Sequence, residues 1–317
     1  MIGVPALVLT AGLGTRLRPL SLIRAKGALP VAGVPLASRV IRWLAGHGIH
    51  DVVLNLHHHP ETITREVGDG RDLGARVRYS WENPVLGSAG GPRHALPLLD
   101  APRFVIANGD TLTDVDLPAL ISAHDRSGAM VTMALIPNPR PDRYGGVLLD
   151  GTVVSGFTPR RTGQENYHFI GVQVVEAAVF TGLADHEPAE TVSDLYPRLM
   201  RAQPGSVRAF VSGAGFEDIG TPADYFETSH AVAAREGLAA MPPGRRTSID
   251  GTARLTRSIV WDDVVIEGGA ELNECIVVDG VRVPPRIKLD RSIVLPASAE
   301  LLGADGERRD NLLIVAF

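Results

Sequence analysis

The first 235 residues alternate short apolar runs with amphipathic segments. Residues 6–9 and 51–56 are apolar runs of strand length, and the segment 36–48 between them carries apolar side chains at helical spacing and ends in glycines. Strand, helix and strand in this order predict one βαβ unit. The same patterns predict further helices at 60–67, 94–99, 114–127, 191–201 and 223–235, and further strands at 75–79, 103–107, 129–136, 144–149, 153–157, 169–175 and 207–211.

This alternation predicts the fold class. Strands that alternate with helices build a sheet that is covered by helices on both faces. The Asp150-Gly151 turn between two of the predicted strands adds an antiparallel hairpin. We therefore predict an α/β fold with a Rossmann-like mixed sheet for a first domain over residues 1–240. Ligands of such folds collect at the carboxyl ends of the strands.

The tail of the chain, residues 247–317, repeats itself every 17 residues. Two sets of apolar residues follow this spacing, Leu255, Leu272 and Leu289 together with Ile259, Ile276 and Ile293. Apolar rungs at a fixed period predict a short β-helix of about three coils as a second domain. The open ends of so short a solenoid need covering. We expect it to pack on the first domain or to form a homo-oligomer, with residues 312–317 as a capping strand.

Composition and charge narrow the class of protein. The 317 residues are 44% hydrophobic and carry a formal net charge of −5, which fits a globular protein and argues against nucleic-acid binding. We expect no membrane association, because no apolar run reaches spanning length and the chain enters a core strand at once. Cys275 is the only cysteine and aligns in the repeat with Ser258 and Ser292. We therefore predict a cytoplasmic protein without disulfides, in which Cys275 is a small rung residue and not a nucleophile.

The first predicted strand breaks directly into a glycine turn. Gly12 and Gly14 allow the backbone to approach a ligand and to point N–H groups at an anion, and Arg16 adds a planar cation suited to phosphate. Lys26 is one of only two lysines in an arginine-rich chain, which hints that a compact ammonium group is needed there. The pattern predicts a triphosphate cradle, with a simple tight turn as the alternative. A dinucleotide fingerprint is disfavoured because Leu17 stands where its third glycine belongs.

Later stretches supply further candidate chemistry. Residues 86–91 form a second glycine-rich loop, which could approach a nucleobase or simply pass over the sheet. Asp110 follows a buried strand, so its carboxylate is expected at the carboxyl edge of the sheet, where it could hold Mg²⁺. A turn-forming aspartate is the alternative. The three adjacent histidines at 57–59 do not converge easily on one metal ion, and we interpret them as a polar loop at a strand end.

The residues around the first glycine turn resemble a family signature. Residues 12–20, Ala25-Lys26, Leu29-Pro30-Val31 and Pro35 are similar to the signature of the sugar-1-phosphate nucleotidyltransferases. Within that family the chain resembles the mannose-1-phosphate guanylyltransferase-like and N-acetylmuramate-1-phosphate uridylyltransferase-like enzymes. It departs from the usual pattern at Ala25, where proline is common, and at Val34, where lysine is frequent. The resemblance implies that the predicted β-helix is left-handed.

The resemblance also implies roles for individual residues. Arg16 and Lys26 act on the reacting phosphates, and Asp110 and Asp218 hold Mg²⁺, although an acidic residue just before a helix such as Asp218 can serve helix electrostatics alone. The other implied contacts are Ala11, Gly12, Gly14, Thr15, Gly87 and Ser88 to the nucleotide and Tyr144, Gly145 and Gly171 to the sugar. For Tyr144 simple packing is an alternative. Glu165 and Asn166 are further candidates for binding sugar hydroxyls, with an exposed polar loop as the alternative.

One stretch departs clearly from the family pattern. After the strand at 153–157 the family has Glu-Lys-Pro, whose acid and lysine commonly hold the sugar phosphate. This chain has Thr158-Pro159-Arg160-Arg161 instead. We hypothesise that Arg160 or Arg161 supplies the missing positive charge.

These expectations define a reaction. The resemblance implies transfer of a nucleotidyl group from a nucleoside triphosphate to a sugar 1-phosphate, with release of pyrophosphate. GTP with mannose 1-phosphate is the first expectation, and UTP or dTTP with another hexose or amino-sugar 1-phosphate is the alternative. Because the Glu-Lys-Pro segment is lost, a non-catalytic regulatory or assembly subunit on the same fold stays open as a second hypothesis.

Overall fold

The computed structural model describes residues 3–161, 163 and 165–317, with the backbone alone at 300–302. It divides into two compact units. The first contains the chain up to Gly12 and Ala37–Asp218, and the second contains Leu13–Leu36 and Ile219–Phe317. The segment that carries Arg16 and Lys26 therefore belongs to the same unit as the tail. The division into independently folding domains at 1–240 and 247–317 stays a prediction.

Strands and helices alternate over the first two thirds of the chain. The strands are β1 (Ala6–Leu9), β2 (Pro30–Val31), β3 (Val34–Pro35), β4 (Asp51–Leu56), β5 (Arg76–Trp81), β6 (Arg103–Asn108), β7 (Thr111–Thr113), β8 (Val131–Pro137), β9 (Gly146–Asp150), β10 (Val153–Thr158), β11 (Tyr167–Glu176), β12 (Val207–Val211) and β13 (Phe216–Asp218). The helices are α1 (Leu36–Gly46), α2 (Pro60–Val67), α3 (Gly87–Leu99), α4 (Leu117–Ser127), α5 (Ala178–Thr181), α6 (Tyr196–Ala202) and α7 (Pro222–Arg235). The chain thus has the predicted α/β organisation.

The first unit is built on a nine-stranded mixed sheet with the order β5-β4-β1-β6-β11-β8-β12-β10-β9. The strands β5, β4, β1 and β6 run parallel to one another, and β11 is antiparallel to β6 and to β8. The side chains of β1 are almost wholly buried, as expected for a parallel strand covered on both faces. The prediction of a mixed sheet is confirmed.

The register of β1 determines which residues share the carboxyl edge of the sheet. Leu9 pairs with Asn55 of β4 on one side and with Asn108 of β6 on the other. The residues that follow these positions, 10–12 after β1 and Asp110 after β6, therefore lie side by side in the first unit.

The tail consists of short strands. They are β14 (Ser248–Ile249), β15 (Arg254–Thr256), β16 (Ile259–Val260), β17 (Val265–Ile266), β18 (Glu271–Asn273), β19 (Ile276–Val277), β20 (Arg282–Val283), β21 (Lys288–Asp290), β22 (Ser292–Pro296), β23 (Glu307–Arg309) and β24 (Leu312–Ala316). The first nine form three parallel sheets, β14-β17-β20, β15-β18-β21 and β16-β19-β22.

The strand pairing of the tail follows the 17-residue repeat. Leu255 pairs with Leu272 and Ile259 with Ile276, and each pairs onward with its equivalent in the third coil. The strand β24 pairs antiparallel with β22, as expected of a cap. Burial raises the pKa of the Cys275 thiol to about 11, so this residue is a neutral rung at physiological pH. The left-handed winding and the homo-oligomer through the tail stay predictions.

Two sequence predictions were wrong in detail. Residues 87–91 are the first turns of α3 and not a loop. Glycines are poor helix formers, which is why the sequence pattern predicted a loop. A glycine is needed at position 90 because a Cβ there would lie 2.5 Å from the Glu187 carbonyl oxygen. The helix predicted at 191–201 begins instead with a π-helical turn over Thr191–Leu195, followed by α6.

Candidate active site

The glycine turn of the first unit is anchored by a buried asparagine. The backbone N–H of Thr10 donates to Asn55 Oδ1 at 2.6 Å, and that of Ala11 donates to the same oxygen at 3.3 Å. The Thr10 hydroxyl donates to the Asn55 carbonyl oxygen. These bonds fix the direction in which the chain leaves β1. A Cβ on Gly12 would meet no atom of the described residues within 4 Å, so packing against them does not demand a glycine there, whereas close approach of a ligand would.

The same asparagine links this turn to the start of α3. Asn55 Nδ2 donates to Glu82 Oε1 at 2.7 Å, and Glu82 Oε2 accepts from the Leu86 N–H at 2.7 Å. Asn55 and Glu82 are 3% and 5% exposed. Polar side chains buried to this extent normally have hydrogen-bond partners, as these two do. The sequence patterns predict a role for neither residue. The available signal for Asn55 was a polar side chain near the end of the apolar strand β4, and Glu82 directly follows β5.

Gly87 and Ser88, the predicted base contacts, lie in the first turn of α3. The Ser88 hydroxyl donates to Glu190 Oε2 at 2.5 Å and accepts from the Thr191 N–H at 2.8 Å. A Cβ on Gly87 would lie 2.6 Å from Glu190 Oε1. Both residues are thus held against the 187–191 segment, and their contact with a nucleotide stays a prediction.

The two candidate metal ligands lie on adjoining parts of the first unit. The Gly109 N–H donates to the Leu9 carbonyl oxygen at 2.9 Å, which brings Asp110 beside the end of β1. Thr111, the next residue, pairs directly with Asp218 in the two-stranded antiparallel sheet of β7 and β13, and Cα atoms of such opposed residues lie about 4.5–5.5 Å apart. Two carboxylates completed by phosphate oxygens are the ligands that Mg²⁺ prefers. The donor set therefore fits magnesium.

An aromatic cluster surrounds the predicted sugar contacts. The ring of Tyr144 lies 4.2 Å from that of His168, which lies 4.6 Å from that of Phe216. Burial lowers the pKa of His168 to about 4, so its imidazole is neutral at physiological pH. Its Nδ1 is buried without a hydrogen-bond partner among the described residues. Arg143 lies over Tyr144, 5.4 Å from the ring centre, and contacts Asp218 Oδ2 at 3.6 Å.

The other residues predicted to bind sugar or sugar phosphate differ in exposure. Asn166 is 8% exposed and accepts from Asn138 Nδ2 at 2.6 Å, so the alternative of an exposed loop does not hold for it. Glu165 is exposed, as are Arg160 and Arg161, which follow β10 in a turn. Within the first unit the structure thus offers two exposed cations where the family pattern has an acid and a lysine.

Gly171 is required by the local backbone. Its φ of +78° is unfavourable for other residues, and a Cβ there would lie 2.6 Å from Asn108 Nδ2. We expect Gly171→Ala to lower the free energy of unfolding by about 2 kcal/mol or more, from backbone strain and overpacking together. Thermal and urea unfolding measure this change. Gly46→Ala is the matched control, because a Cβ at that helical position meets open space; equal stability of the two variants would contradict the prediction.

The second unit holds the two candidate catalytic cations. Gly14 has a φ of +60°, and its carbonyl oxygen accepts from the Ser21 hydroxyl at 2.8 Å. Thr15 and Arg16 lie in the short 3₁₀ turn that follows, both exposed, while Lys26 is half-buried at the start of another 3₁₀ turn. The segment therefore carries a guanidinium and an ammonium group on two of its short 3₁₀ turns.

A histidine cluster suited to metal lies away from the 57–59 run. The potential ligand atoms of His94, Asp185 and His186 are all within 4.8 Å of one another, and contact with His94 lowers the pKa of the Asp185 carboxyl. Two imidazoles and a carboxylate suit Zn²⁺ better than Mg²⁺. Residues 57–59 form a loop before α2, as predicted.

These features define a nucleotide-transferring α/β enzyme, and comparison with known proteins gives the family. The chain belongs to the nucleotidyl transferase family, whose model matches residues 5–235. It is 29% identical to the mannose-1-phosphate guanylyltransferase of Mycobacterium tuberculosis over 91% of this chain and 83% of that protein. It is 35% identical to the N-acetylmuramate alpha-1-phosphate uridylyltransferase of Neisseria meningitidis serogroup B over 61% of this chain and 83% of that protein. The predicted family is confirmed.

Solved structures support the fold. HddC from Yersinia pseudotuberculosis, in a complex with GMP-PN, superposes with a TM-score of 0.62 at 23% identity, covering 72% of this chain and 99% of that one. The relatives are named as transferases and the family model matches most of the chain. The chain is therefore an enzyme, a nucleotidyltransferase. The hypothesis of a non-catalytic subunit is therefore not favoured. No helix in the described parts of the chain is long and apolar enough to cross a membrane.

Proposed function

We propose that this enzyme joins a nucleoside triphosphate and a sugar 1-phosphate into an NDP-sugar and pyrophosphate. One observation supports the proposal: in the first unit the Leu9 register brings residues 10–12 beside Asp110 at the carboxyl end of the sheet, and Asp218 pairs with Thr111, the residue after Asp110. A phosphate cradle beside a site for a hard divalent cation suits attack on a triphosphate. The curated relatives in the comparisons act on sugar 1-phosphates, which supports the second substrate.

The reaction needs no nucleophilic side chain. A phosphate oxygen of the sugar 1-phosphate forms a new bond to the α-phosphorus, and the bond from that phosphorus to the bridging oxygen breaks, so that pyrophosphate leaves with the electron pair. Backbone N–H groups of Gly12 and Gly14 hold the triphosphate, with Ala11 and Thr15 beside them. Arg16 stabilises the departing pyrophosphate, and Lys26 neutralises charge at the reacting phosphates.

Asp110 and Asp218 would hold Mg²⁺, which reduces the repulsion between the two anionic substrates when it is bound. The remaining residues position the substrates. Gly87 and Ser88 face the base, while Tyr144, Gly145, Glu165, Asn166 and Gly171 shape the sugar side. The neutral His168 beside Tyr144 adds a hydrogen-bonding group that carries no charge.

We propose GTP and mannose 1-phosphate as the preferred pair. The mannose-1-phosphate guanylyltransferase of Mycobacterium tuberculosis matches 91% of this chain, which supports this choice. UTP or dTTP with another hexose or amino-sugar 1-phosphate is the alternative, since a UTP–glucose-1-phosphate uridylyltransferase of Synechocystis matches 88% of the chain at 27% identity. Comparing kcat/KM over a matrix of four NTPs and several sugar 1-phosphates decides between them. A maximum at any pair without GTP would overturn the proposed pair.

The arginines after β10 test the sugar-phosphate side of the proposal. We expect the Arg160→Ala, Arg161→Ala double variant to raise the KM for sugar 1-phosphate about 10-fold or more, with little change in the KM for NTP, because charge-assisted contacts to phosphate are lost. Steady-state kinetics with each substrate varied in turn measure both constants. Arg71→Ala, at an exposed arginine of a distant turn, is the control. An unchanged KM for sugar phosphate would remove these two residues from the site.

A further inference from the structure

Arg24 stands two residues before Lys26 in the signature segment, yet it is only 5% exposed. Its guanidinium makes a bidentate pair with Asp279, with Nε and Nη2 each 2.5 Å from a carboxylate oxygen. Nη2 also donates to Asp262 Oδ2 at 2.9 Å. Burial opposes the charge of Arg24, but the carboxylates outweigh it and raise the pKa of the guanidinium above its ordinary value. A buried arginine held by two carboxylates has little freedom to move.

The two aspartates occupy equivalent places in successive coils of the tail, 17 residues apart. Both carboxylates have further hydrogen bonds. Asp279 Oδ1 accepts from the Asp262 N–H at 3.0 Å, and Asp262 accepts from the Arg245 side chain at 2.7 Å. The third coil has Pro296 at the equivalent place, so the coil itself does not require an aspartate there. Each carboxylate thus bonds the backbone of the preceding coil and also holds Arg24.

A second contact holds the segment on the other side of Lys26. Tyr225 of α7 donates its hydroxyl to the Pro30 carbonyl oxygen at 2.7 Å and accepts from Trp261 Nε1 at 2.9 Å. The Arg24 guanidinium lies over the Trp261 ring, 5.2 Å from its centre. Tyr225 and Trp261 are fully buried. The segment 24–30 is thus fastened at both ends to α7 and the first two coils of the tail.

We propose that Arg24 is a positioning residue and that the tail, through Asp262 and Asp279, fixes the geometry of the Lys26 segment for catalysis. The tail then does more than end the fold, because a misplacement of about 1 Å in a catalytic group can cost about 100-fold in rate. The expected effect on the reaction rate rests on the proposed function, whereas the contacts that hold residues 24–30 do not.

The test is Asp279→Asn, which removes a charge at nearly constant shape. We expect kcat/KM to fall about 10- to 100-fold and hydrogen–deuterium exchange in residues 24–31 to become faster. In a Lys26→Ala background the same change should cost less than about threefold, since Asp279 acts through Lys26. Asp263→Asn, which removes the charge of an exposed carboxylate paired with Arg246 in the coil before that of Asp279, is the matched control and should change kcat/KM less than about twofold.

Each other outcome contradicts the proposal. Unchanged exchange in residues 24–31 would show that Asp279 does not hold the segment. Faster exchange with unchanged kcat/KM, or equal losses with and without Lys26, would show that the contact is structural only. If Asp279→Asn does not fold, Tyr225→Phe replaces it, with the same pattern expected at about 3- to 10-fold. A wild-type enzyme without turnover would refute the proposed function, while the exchange measurement would still test the anchor.

Discussion

Asp110→Asn is expected to lower turnover about 100-fold or more, with little change in stability. The substitution keeps the size of the side chain and removes the negative charge that the proposed Mg²⁺ requires. The loss of one group that stabilises the transition state costs about 100- to 1000-fold in comparable sites. The register of β1 with β6 and the Thr111–Asp218 pairing predict that Asp218→Asn has an effect of the same order.

The measurement is initial velocity as a function of Mg²⁺ concentration. If Asp110 holds the ion, the variant should need a higher Mg²⁺ concentration for half-maximal velocity, in addition to its lower maximum. Asp72→Asn, at an exposed aspartate in a short 3₁₀ turn, is the control and should behave as the wild type. Near-normal turnover in Asp110→Asn at low Mg²⁺ would exclude Asp110 as a ligand.

Lys26→Ala is expected to have an equally large effect for a different reason. Here the lost group is a compact ammonium at the reacting phosphates, so kcat should fall about 100-fold or more while the Mg²⁺ requirement stays unchanged. Lys26→Arg should recover only part of the rate, because a planar guanidinium does not replace a point charge.

The chain supplies its own control for this prediction. Lys288, the only other lysine, lies in β21 of the tail and pairs with Glu271 at the surface. Lys288→Ala removes the same charge from the chain as a whole and should leave kcat within about twofold, since exposed pairs contribute little. A similar loss of rate in both variants would indicate a general effect of net charge and not a role at the reacting phosphates.

The parts of the fold that could be predicted are those specified by local pattern. The 17-residue spacing of Leu255, Leu272 and Leu289 predicted their pairing because a repeated rung has only one register that stacks all its copies. The strands β4 and β12 followed from short apolar runs. The position of Asp110 followed from a general property of parallel sheets, whose carboxyl ends share one edge.

The parts that could not be predicted depend on contacts between distant residues. The first turns of α3 carry glycines because the 187–191 segment lies against them, and nothing within residues 87–91 indicates this contact. Asn55 lies near the end of the apolar strand β4 and Glu82 directly follows β5, and their partners are known only from the fold. Arg24 looks like one more basic residue of a basic segment, and its partner Asp279 is 255 positions away.

The most direct test of the proposed reaction is pyrophosphate release by the purified wild-type enzyme. We expect release that requires NTP, sugar 1-phosphate and Mg²⁺ together, with one mole of NDP-sugar formed for each mole of pyrophosphate. We also expect the reverse reaction, from NDP-sugar and pyrophosphate, to proceed at the same site and to be lost in Asp110→Asn. Pyrophosphate release without sugar 1-phosphate, or binding of both substrates without product under any pairing of base and sugar, would contradict the proposed reaction.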